Sequence, residues 1–254
     1  MTSSRLSPTR SPAAAKRAAR LLRHSIPFVC VAAFSLRAPA EPSDWQSQVN
    51  AATDRINRGI DQSVNTPSIG AGVDWYPGSG LFAGASAWTI KLFDGAPLGG
   101  EFLVDVGYAW RWKADWSLTA MLAHYQFAHS PAASHLEYDD LDLIGSWRDF
   151  VFFSVSASPN TAYGPSSRTW AYSYNLTTHV PLSHGLSAIA GVGYYDLQAG
   201  LGGGFLYDNI GLSYQYRDVN FQVGYFGTRA SAAIHADLDP SLVHRWVAQA
   251  SWHF

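Results

Sequence analysis

Acidic, basic and amide side chains recur at every second position in several segments of this 254-residue sequence. This spacing places them on one face of an extended chain, because successive side chains of a β-strand point to opposite sides. Acids and bases that face one another across a narrow space create a transverse electric field and favour ions of one sign. The alternative is that the same groups pair with one another and fill the interior. The polar face consists of Asp74, Glu101, Asp105, Arg111, Ser173, Asn175, Asn209, Gln215, Arg217, Gln222, Arg245, Gln249 and His253.

A second group of reactive side chains surrounds residues 124–140. Serine, histidine and acid groups together could hydrolyse an ester or amide bond, and two histidines with a carboxylate could bind a metal ion. The sequence contains neither a G-x-S-x-G nor an H-E-x-x-H pattern, so a solvated polar loop is the favoured interpretation. We therefore expect no catalytic residue, no metal and no cofactor. The group comprises His124, His129, Ser130, Ser134, His135, Asp139 and Asp140.

The elements that position these residues are predicted to be β-strands. Phe102, Val104, Val106 and Tyr108 alternate with Leu103, Asp105 and Gly107, which is the period of a strand rather than of a helix. Runs of this kind are about ten residues long, the length that a tilted strand needs to cross a bilayer. We predict twelve strands, at residues 46–60, 66–76, 80–91, 100–112, 115–127, 135–148, 149–158, 168–179, 186–197, 204–217, 218–228 and 242–254.

The predicted connections alternate between tight and long. Short turns at one end and longer loops at the other are typical of outer-membrane barrels. With an even number of strands, both termini fall at the end with the short turns, which is the periplasmic side in such barrels. The tight connections are 77–79, 113–115, 148–149, 181–185 and 217–218, and the longer ones are 61–65, 93–99, 129–134, 159–167, 201–203 and 228–241.

The composition suits strands that turn one face to lipid. Only 14% of the residues are charged, against about 25% in an average soluble domain, and 47% are hydrophobic. Backbone groups in hydrocarbon must all be hydrogen-bonded, which only helices and closed barrels achieve. A membrane-spanning helix needs about 20 consecutive apolar residues, and because residues 41–254 contain no such run, a closed barrel is expected. Aromatic residues near the strand ends fit two membrane-interface belts, with a soluble β-core as the alternative. They are Trp75, Tyr108, Trp112, Trp116, Trp147, Trp170, Tyr216 and Trp246.

The first forty residues differ from the remainder. They carry seven Lys or Arg and no acid, then the apolar stretch 26–36 and a closing Ala-Pro-Ala. This is the pattern of a secretory signal peptide, with a mitochondrial transit peptide as the alternative. Cleavage after residue 40 would leave residues 41–254 as one barrel domain with a net charge of -9 and no cysteine, since Cys30 is removed. A net acidic chain of this kind is unsuited to binding nucleic acid.

Residues 51–84 resemble a known family. They contain ATDRINRGIDQS, then a proline, then GVDW and GLFAG. The segment is similar to the opening of the TorF porin family, outer-membrane proteins of Gram-negative bacteria, and the resemblance implies a membrane barrel with a pore. Arg55 and Asn57 stand where the family has Tyr and Phe, and Arg55 facing lipid near the midplane would cost about 2–4 kcal/mol. We therefore expect Arg55 near an interface or against protein, or the first strand is shifted. The matching residues are Asp54, Arg58, Gly59, Gln62, Pro67, Gly72 and Asp74.

These features predict an all-β, transmembrane, antiparallel up-and-down β-barrel of about twelve strands in the outer membrane of a Gram-negative bacterium. The expected function is that of a porin that passes ions or small polar solutes through a narrow lumen. A closed barrel with a structural or extracellular ligand-binding role is one alternative, and an outer-membrane hydrolase is another. Expected partners are outer-membrane lipid, small solutes and the barrel-assembly machinery, which would bind the last strand ending on Phe254.

Overall fold

The computed structural model describes residues 44–112, 115–128, 136–162, 168–238 and 241–254, and it is a closed antiparallel barrel of twelve strands. Each barrel strand pairs with its neighbours along the chain, and the last strand pairs with the first to close the sheet. Two further short strands form a separate hairpin. The strands are β1 Trp45–Ala52, β2 Ile56–Asn57, β3 Ile60–Asp61, β4 Ser68–Trp75, β5 Leu81–Ile90, β6 Gly99–Trp112, β7 Trp116–Ala128, β8 Tyr138–Trp147, β9 Val151–Thr161, β10 Thr169–Ser183, β11 Leu186–Leu197, β12 Gly203–Tyr216, β13 Val219–Ala230 and β14 His244–His253.

The alternation of the sequence corresponds to the two faces of the barrel. On β6 the apolar series from Phe102 to Trp112 faces outward and is exposed, whereas Glu101 and Leu103 are buried inside. The same division holds on β12, where Ile210 and Leu212 are outward. An outer surface of this apolar character suits lipid and would be unfavourable in water. The prediction of a membrane-spanning antiparallel barrel is therefore confirmed.

Tight turns and long connections occupy opposite ends of the barrel, as predicted. The β8–β9 turn uses left-handed backbone at Arg148 and Asp149, and the β10–β11 turn uses it at His184 and Gly185. Left-handed residues in hairpin turns match the right-handed twist of the flanking strands, so the turns are short. We refer to the two ends as the turn end, which holds both described termini, and the loop end. The predicted connections 113–115, 129–134, 159–167 and 228–241 lie wholly or partly outside the described residues.

Aromatic side chains form a belt at the turn end. Trp45 and Trp75 are paired across β1 and β4, with ring centroids 6.3 Å apart, and Trp116 pairs in register with both Trp112 and Trp147. Indole rings combine an apolar body with a polar N–H group, which suits the boundary between hydrocarbon and water. Trp170 and Trp246 lie on β10 and β14 near the loop end.

Within the described part of the chain, no helix has the length and hydrophobicity to cross a membrane.

The prediction for the first strand is wrong in its second half. β1 ends at Ala52 instead of continuing to residue 60, and the chain turns into the barrel lumen before it returns at Ser68. Residues 53–67 form the small hairpin β2–β3 inside the lumen, and we call this segment the plug. The physical reason is the charge of Arg55. Inside the barrel this charge pairs with the buried Glu101, whereas in lipid it would have no partner.

The plug packs against two apolar clusters beneath the loop end. Ile60 contacts a cluster that includes Phe205 and Ile234, and Ile56 packs against Val243. Ile234 belongs to a short helix, Ala232–Leu238, in the connection before β14. The apolar core of this barrel therefore lies between the plug and the wall, at one end of the lumen.

Candidate functional site: the lumen and its plug

The plug contains a β-hairpin with a two-residue turn, and this turn requires a glycine. Arg58 and Gly59 occupy the turn with φ of 49° and 75°, which is the left-handed geometry of a tight β-hairpin. A Cβ on Gly59 would lie 2.6 Å from Cβ of Tyr207 and 2.7 Å from Oγ1 of Thr228. The Thr228 hydroxyl also donates a 2.7 Å hydrogen bond to the Gly59 carbonyl. The hairpin tip is thus in close contact with the wall at β12 and β13.

Two buried ion pairs join the plug to the opposite side of the wall. Arg55 Nη2 lies 2.5 Å from Glu101 Oε1 on β6, and Arg58 Nη2 lies 2.6 Å from Asp140 Oδ2 on β8. All four side chains are at least nine-tenths buried. Removing one partner of such a pair leaves an uncompensated buried charge and costs about 3–5 kcal/mol. These pairs therefore fix the plug to the wall.

Aromatic rings complete the surroundings of both guanidinium groups. The Arg55 guanidinium carbon lies 4.4 Å from the centre of the Trp88 ring, and that of Arg58 lies 5.3 Å from the centre of the Tyr195 ring. The Trp88 ring lies flat against Gly70, where a Cβ would come within 2.4 Å of it. A cation over an aromatic face is attracted by the ring quadrupole, and more strongly when it is desolvated.

A third polar contact holds the base of the plug. Arg245 Nη1 on β14 lies 2.8 Å from Asp54 Oδ2 and 2.9 Å from Asp61 Oδ2. The Ser63 hydroxyl donates a hydrogen bond to Asp54. Burial and the neighbouring Asp61 carboxyl raise the pKa of Asp54 to about 6, against the opposing effects of Ser63 and Arg245. One arginine therefore balances two acids at a position where one of them is readily protonated.

Only a small space remains between the plug and the wall beside it. A cavity of about 30 Å³ is lined by Ile56 and Arg58 of the plug and by Asn175, Tyr207 and Asn209 of the wall. That volume holds about one water molecule. The plug therefore packs closely against β10 and β12 at this place.

Below the plug, the wall on β4 and β6 presents two carboxylates. Asp74 and Asp105 flank Gly84, and a Cβ on that glycine would lie 2.6 Å from Asp74 Oδ1 and 2.8 Å from Asp105 Oδ2. Within the described residues, neither acid forms an ion pair. Asp142 on β8 also faces inward and accepts a hydrogen bond from Ser156. This half of the wall is acidic and carries more charge than the plug neutralises.

The other predicted lining residues lie at several levels of the barrel. Asn175 accepts a hydrogen bond from the Tyr207 hydroxyl, and Gln215 accepts one from Asn220 at 3.0 Å. Arg217 occupies the β12–β13 turn, exposed and with its guanidinium 5.4 Å from the Tyr216 ring, so it lies at the turn-end rim. The remaining polar positions are half-buried or buried on inward-facing positions of their strands: Arg111, Ser173, Asn209, Gln222, Gln249 and His253.

Of the residues considered for hydrolysis or metal binding, the structure describes His124, Asp139 and Asp140, and it brings the first two together but not the third. His124 Nδ1 lies 2.7 Å from Asp139 Oδ1 on the outer face, and Asn160 Nδ2 donates to the other Asp139 oxygen. Asp140 points the opposite way, into the lumen, and pairs with Arg58. The other members, His129, Ser130, Ser134 and His135, lie outside the described residues. Across the described ranges, no three His, Cys, Asp or Glu side chains are grouped closely enough to hold a metal ion.

Sequence reasoning missed the inward position of residues 53–67. The signal was present in Arg55, Asn57 and Arg58, which are three polar residues in a segment predicted to be the second half of a membrane-crossing strand. The adjacent Arg58-Gly59 pair was a turn signal. Asp54, Arg58, Gly59 and Gln62 carry part of the TorF resemblance, and all four belong to the plug.

Comparison with known sequences identifies the family. Residues 37–251 match the Gcw_chp family, described as bacterial proteins of unknown function. The chain belongs to this family. A comparison with curated proteins found no match.

Solved structures of similar fold include two structures of a KdgM porin and one of a NanC porin. A KdgM porin aligns with a TM-score of 0.53 at 10% sequence identity, covering 82% of this chain and 99% of the porin. A KdgM porin in complex with disordered oligogalacturonate aligns with a TM-score of 0.53 at 9% identity over 83% and 99% of the two chains. A NanC porin aligns with a TM-score of 0.51 at 11% identity over 82% and 97%. At these identities the likeness shows a shared fold.

Proposed function

We propose that this Gcw_chp protein is an outer-membrane porin that passes small cations or small polar solutes passively, through a lumen narrowed by the plug. The observation that carries the proposal is the pair Asp74 and Asp105, two inward carboxylates without an ion-pair partner in a closed barrel with an apolar exterior. Unpaired charge on a lumen wall attracts counter-ions and sets a preference for one sign. The porin folds of KdgM and NanC and the TorF resemblance support the same assignment.

The placement in the cell follows from the same features. The signal-like residues 1–40 support export, and the apolar outer face supports insertion in the outer membrane of a Gram-negative bacterium. Short turns at the end that holds the described termini support a periplasmic position for both. We also propose that the exposed aromatic residues Trp252 and Phe254, whose ring centroids are 5.4 Å apart, contact the barrel-assembly machinery. We propose no catalytic role, because His124 and Asp139 are separated by the barrel wall from Asp140.

The solute class proposed here differs from that of one structural neighbour. A KdgM porin has been solved with oligogalacturonate, an acidic sugar oligomer. The wall of this barrel carries unpaired acids at Asp74 and Asp105, which repel polyanions. We therefore propose cations, and neutral solutes in second place.

Single-channel recording in planar bilayers tests the proposal. We expect unit currents with a cation preference, and Asp105→Asn should shift the reversal potential in a salt gradient toward zero. Asp115→Asn is the matched control, since this acid lies at the turn end and pairs there with Arg148 at 3.4 Å. A cation preference unchanged by Asp105→Asn would contradict the assignment of this residue.

A second candidate is a closed barrel with a structural or extracellular ligand-binding role. The plug favours it, because two buried ion pairs and the Arg245 contact hold the segment in the lumen. The absence of unit current from refolded protein under every ionic condition would support this candidate and contradict the porin proposal.

A further inference from the structure

The two buried arginines of the plug are held as bound cationic ligands would be. Each guanidinium has a carboxylate at ion-pair distance, Glu101 for Arg55 and Asp140 for Arg58. Each also lies over an aromatic ring of the wall, 4.4 Å from the Trp88 centroid in one case and 5.3 Å from the Tyr195 centroid in the other. A buried carboxylate beside an aromatic face recognises guanidinium and ammonium groups by charge and by cation–π attraction.

The wall carboxylates retain binding capacity that the plug does not use. Glu101 Oε2 and Asp140 Oδ1 are buried and have no hydrogen-bond partner. Both side chains lie in the interior, 1% and 0% exposed. A free guanidinium can orient itself in the carboxylate plane and donate two parallel hydrogen bonds, which these tethered arginines do not. An untethered ligand therefore has a geometric advantage.

The plug backbone carries strain in its present position. Arg58, Val64 and Asn65 have φ of 49°, 50° and 53°, in the left-handed region. That region is sparsely populated by residues other than glycine and is unfavourable for a β-branched side chain such as Val64. Release of the segment would remove this strain, which offsets part of the stabilisation that the two ion pairs give the plug.

We propose that Glu101 with Trp88, and Asp140 with Tyr195, are two cation-recognition sites of the lumen wall, which Arg55 and Arg58 occupy while the plug is in place. Small solutes that carry a guanidinium or ammonium group compete with these arginines, displace the plug and are the class of solute that the lumen admits. The inference rests on the proposed porin function, and it names the solute class and the wall residues that select it.

Agmatine is a suitable probe, because it carries a guanidinium and an ammonium group on a short chain. In planar bilayers, millimolar agmatine should raise the open probability of the wild-type protein about threefold or more, whereas urea, an uncharged planar analogue, should leave it unchanged. Glu101→Gln and Asp140→Asn should each abolish the response. Asp115→Asn is the matched control, since this exposed carboxylate pairs with Arg148 at 3.4 Å at the turn end, away from the plug, and it should respond as wild type. An equal response to agmatine and urea, or none to either, would overturn the proposal.

Titration calorimetry on the refolded protein gives a readout that does not need current. Arg55→Ala/Arg58→Ala should bind agmatine at least tenfold more tightly than wild type, and the further changes Glu101→Gln and Asp140→Asn should remove that binding. Folding is checked by the mobility of unheated protein on a gel. If the double variant does not fold, titration of the wild-type protein with agmatine decides whether the wall sites bind the ligand. Absence of agmatine binding to the folded protein would refute the sites. Binding without unit current in any variant would refute the porin function and leave the sites standing.

Discussion

At the scale of single residues, Gly59 determines how closely the plug approaches the wall. Its φ of 75° is accessible to glycine at little cost, and its missing side chain leaves the space taken by Tyr207 and Thr228. No other residue type satisfies both conditions. The turn of the plug and the surface of β12 and β13 are therefore complementary at this one position.

We expect Gly59→Ala to loosen the plug. The positive φ costs about 1–3 kcal/mol for a residue with a Cβ, and the clash at 2.6 Å adds to it. Hydrogen exchange at the plug amides should become faster, with little change in the amides of the barrel strands. Gly78→Ala is the control, because Gly78 has a φ of 85° but no atom within 4 Å of its Cβ position. Equal effects of the two substitutions on the plug would show that the close contact is unimportant.

The carboxyl of Asp54 predicts how the plug responds to pH. Its pKa of about 6 in the folded plug lies above the ordinary value of 3.8, so the folded state binds the proton more tightly than the released segment. This contribution is complete below pH about 4 and is lost as the pH rises through about 6. The groups that face Asp54 are Asp61, Ser63 and Arg245.

We expect plug amides of the wild type to exchange faster at pH 7.5 than at pH 5, after correction for intrinsic exchange. Asp54→Asn should remove most of this difference, because the amide resembles the protonated acid and does not titrate. Asp115→Asn, at the exposed turn end, should retain the wild-type response. A persistent pH dependence in Asp54→Asn would assign the titration to another group.

At the scale of elements, the plug is an insertion between two strands that are already in register. Ala52 and Ser68 are direct partners in the β1–β4 pairing, so residues 53–67 leave and re-enter the sheet at one point. A two-residue Asn-Gly loop could join the strands there without altering their register.

Replacing residues 53–67 by Asn-Gly should leave a folded barrel with a several-fold larger unit conductance, because the main obstruction is gone. The control is the same replacement of residues 91–98, since Ile90 and Gly99 are also direct partners. That loop contributes one backbone hydrogen bond to the plug, from Lys91 N to Gln62 O at 2.8 Å, and its replacement should change conductance little. Equal conductance of both variants and the wild type would show that the plug does not obstruct the pathway.

The barrel strands were predictable because one physical rule acts on all of them. On every barrel strand, alternate residues such as Val104 and Ile210 face outward to lipid and are mostly apolar. The period of two therefore extends over whole segments and is still recognisable where single positions depart from it. The plug hairpin is only a few residues long and has two apolar residues, Ile56 and Ile60, among polar ones. Its polar residues and the Arg58-Gly59 pair indicate an interruption of the strand, but they do not specify that the segment folds into the lumen.

At the scale of the whole molecule, lipid and lumen impose opposite requirements on the wall. Val104→Arg places a charge on the outer face in the middle of β6 and should lower the free energy of unfolding in lipid vesicles by about 2–4 kcal/mol. Leu98→Arg is the control, since Leu98 is similarly exposed but lies in the connection before β6, and it should cost under about 1 kcal/mol. A comparable loss from both would contradict the proposed position of the membrane.

The charge of the lumen is also a property of the whole wall. Glu101, Asp105 and Asp140 come from β6 and β8, and closure of the sheet places them on one side of the plug. The acids at Asp74 and Asp105 have no cationic partner, whereas the two above them are paired with the plug. Which acids are free to attract a solute depends on these pairings.

The sequence by itself determined the architecture: period two, strand length, low charge and alternating connections together specify a closed barrel in a membrane, because lipid acts on every strand alike. It also identified Arg55 as a residue that lipid would not tolerate. Only the tertiary structure decided where that residue goes and which acids remain unpaired. The contacts of Arg55 with Glu101 and of Arg58 with Asp140 join residues 46 and 82 positions apart, and such distant pairings depend on closure of the sheet, which no local pattern encodes.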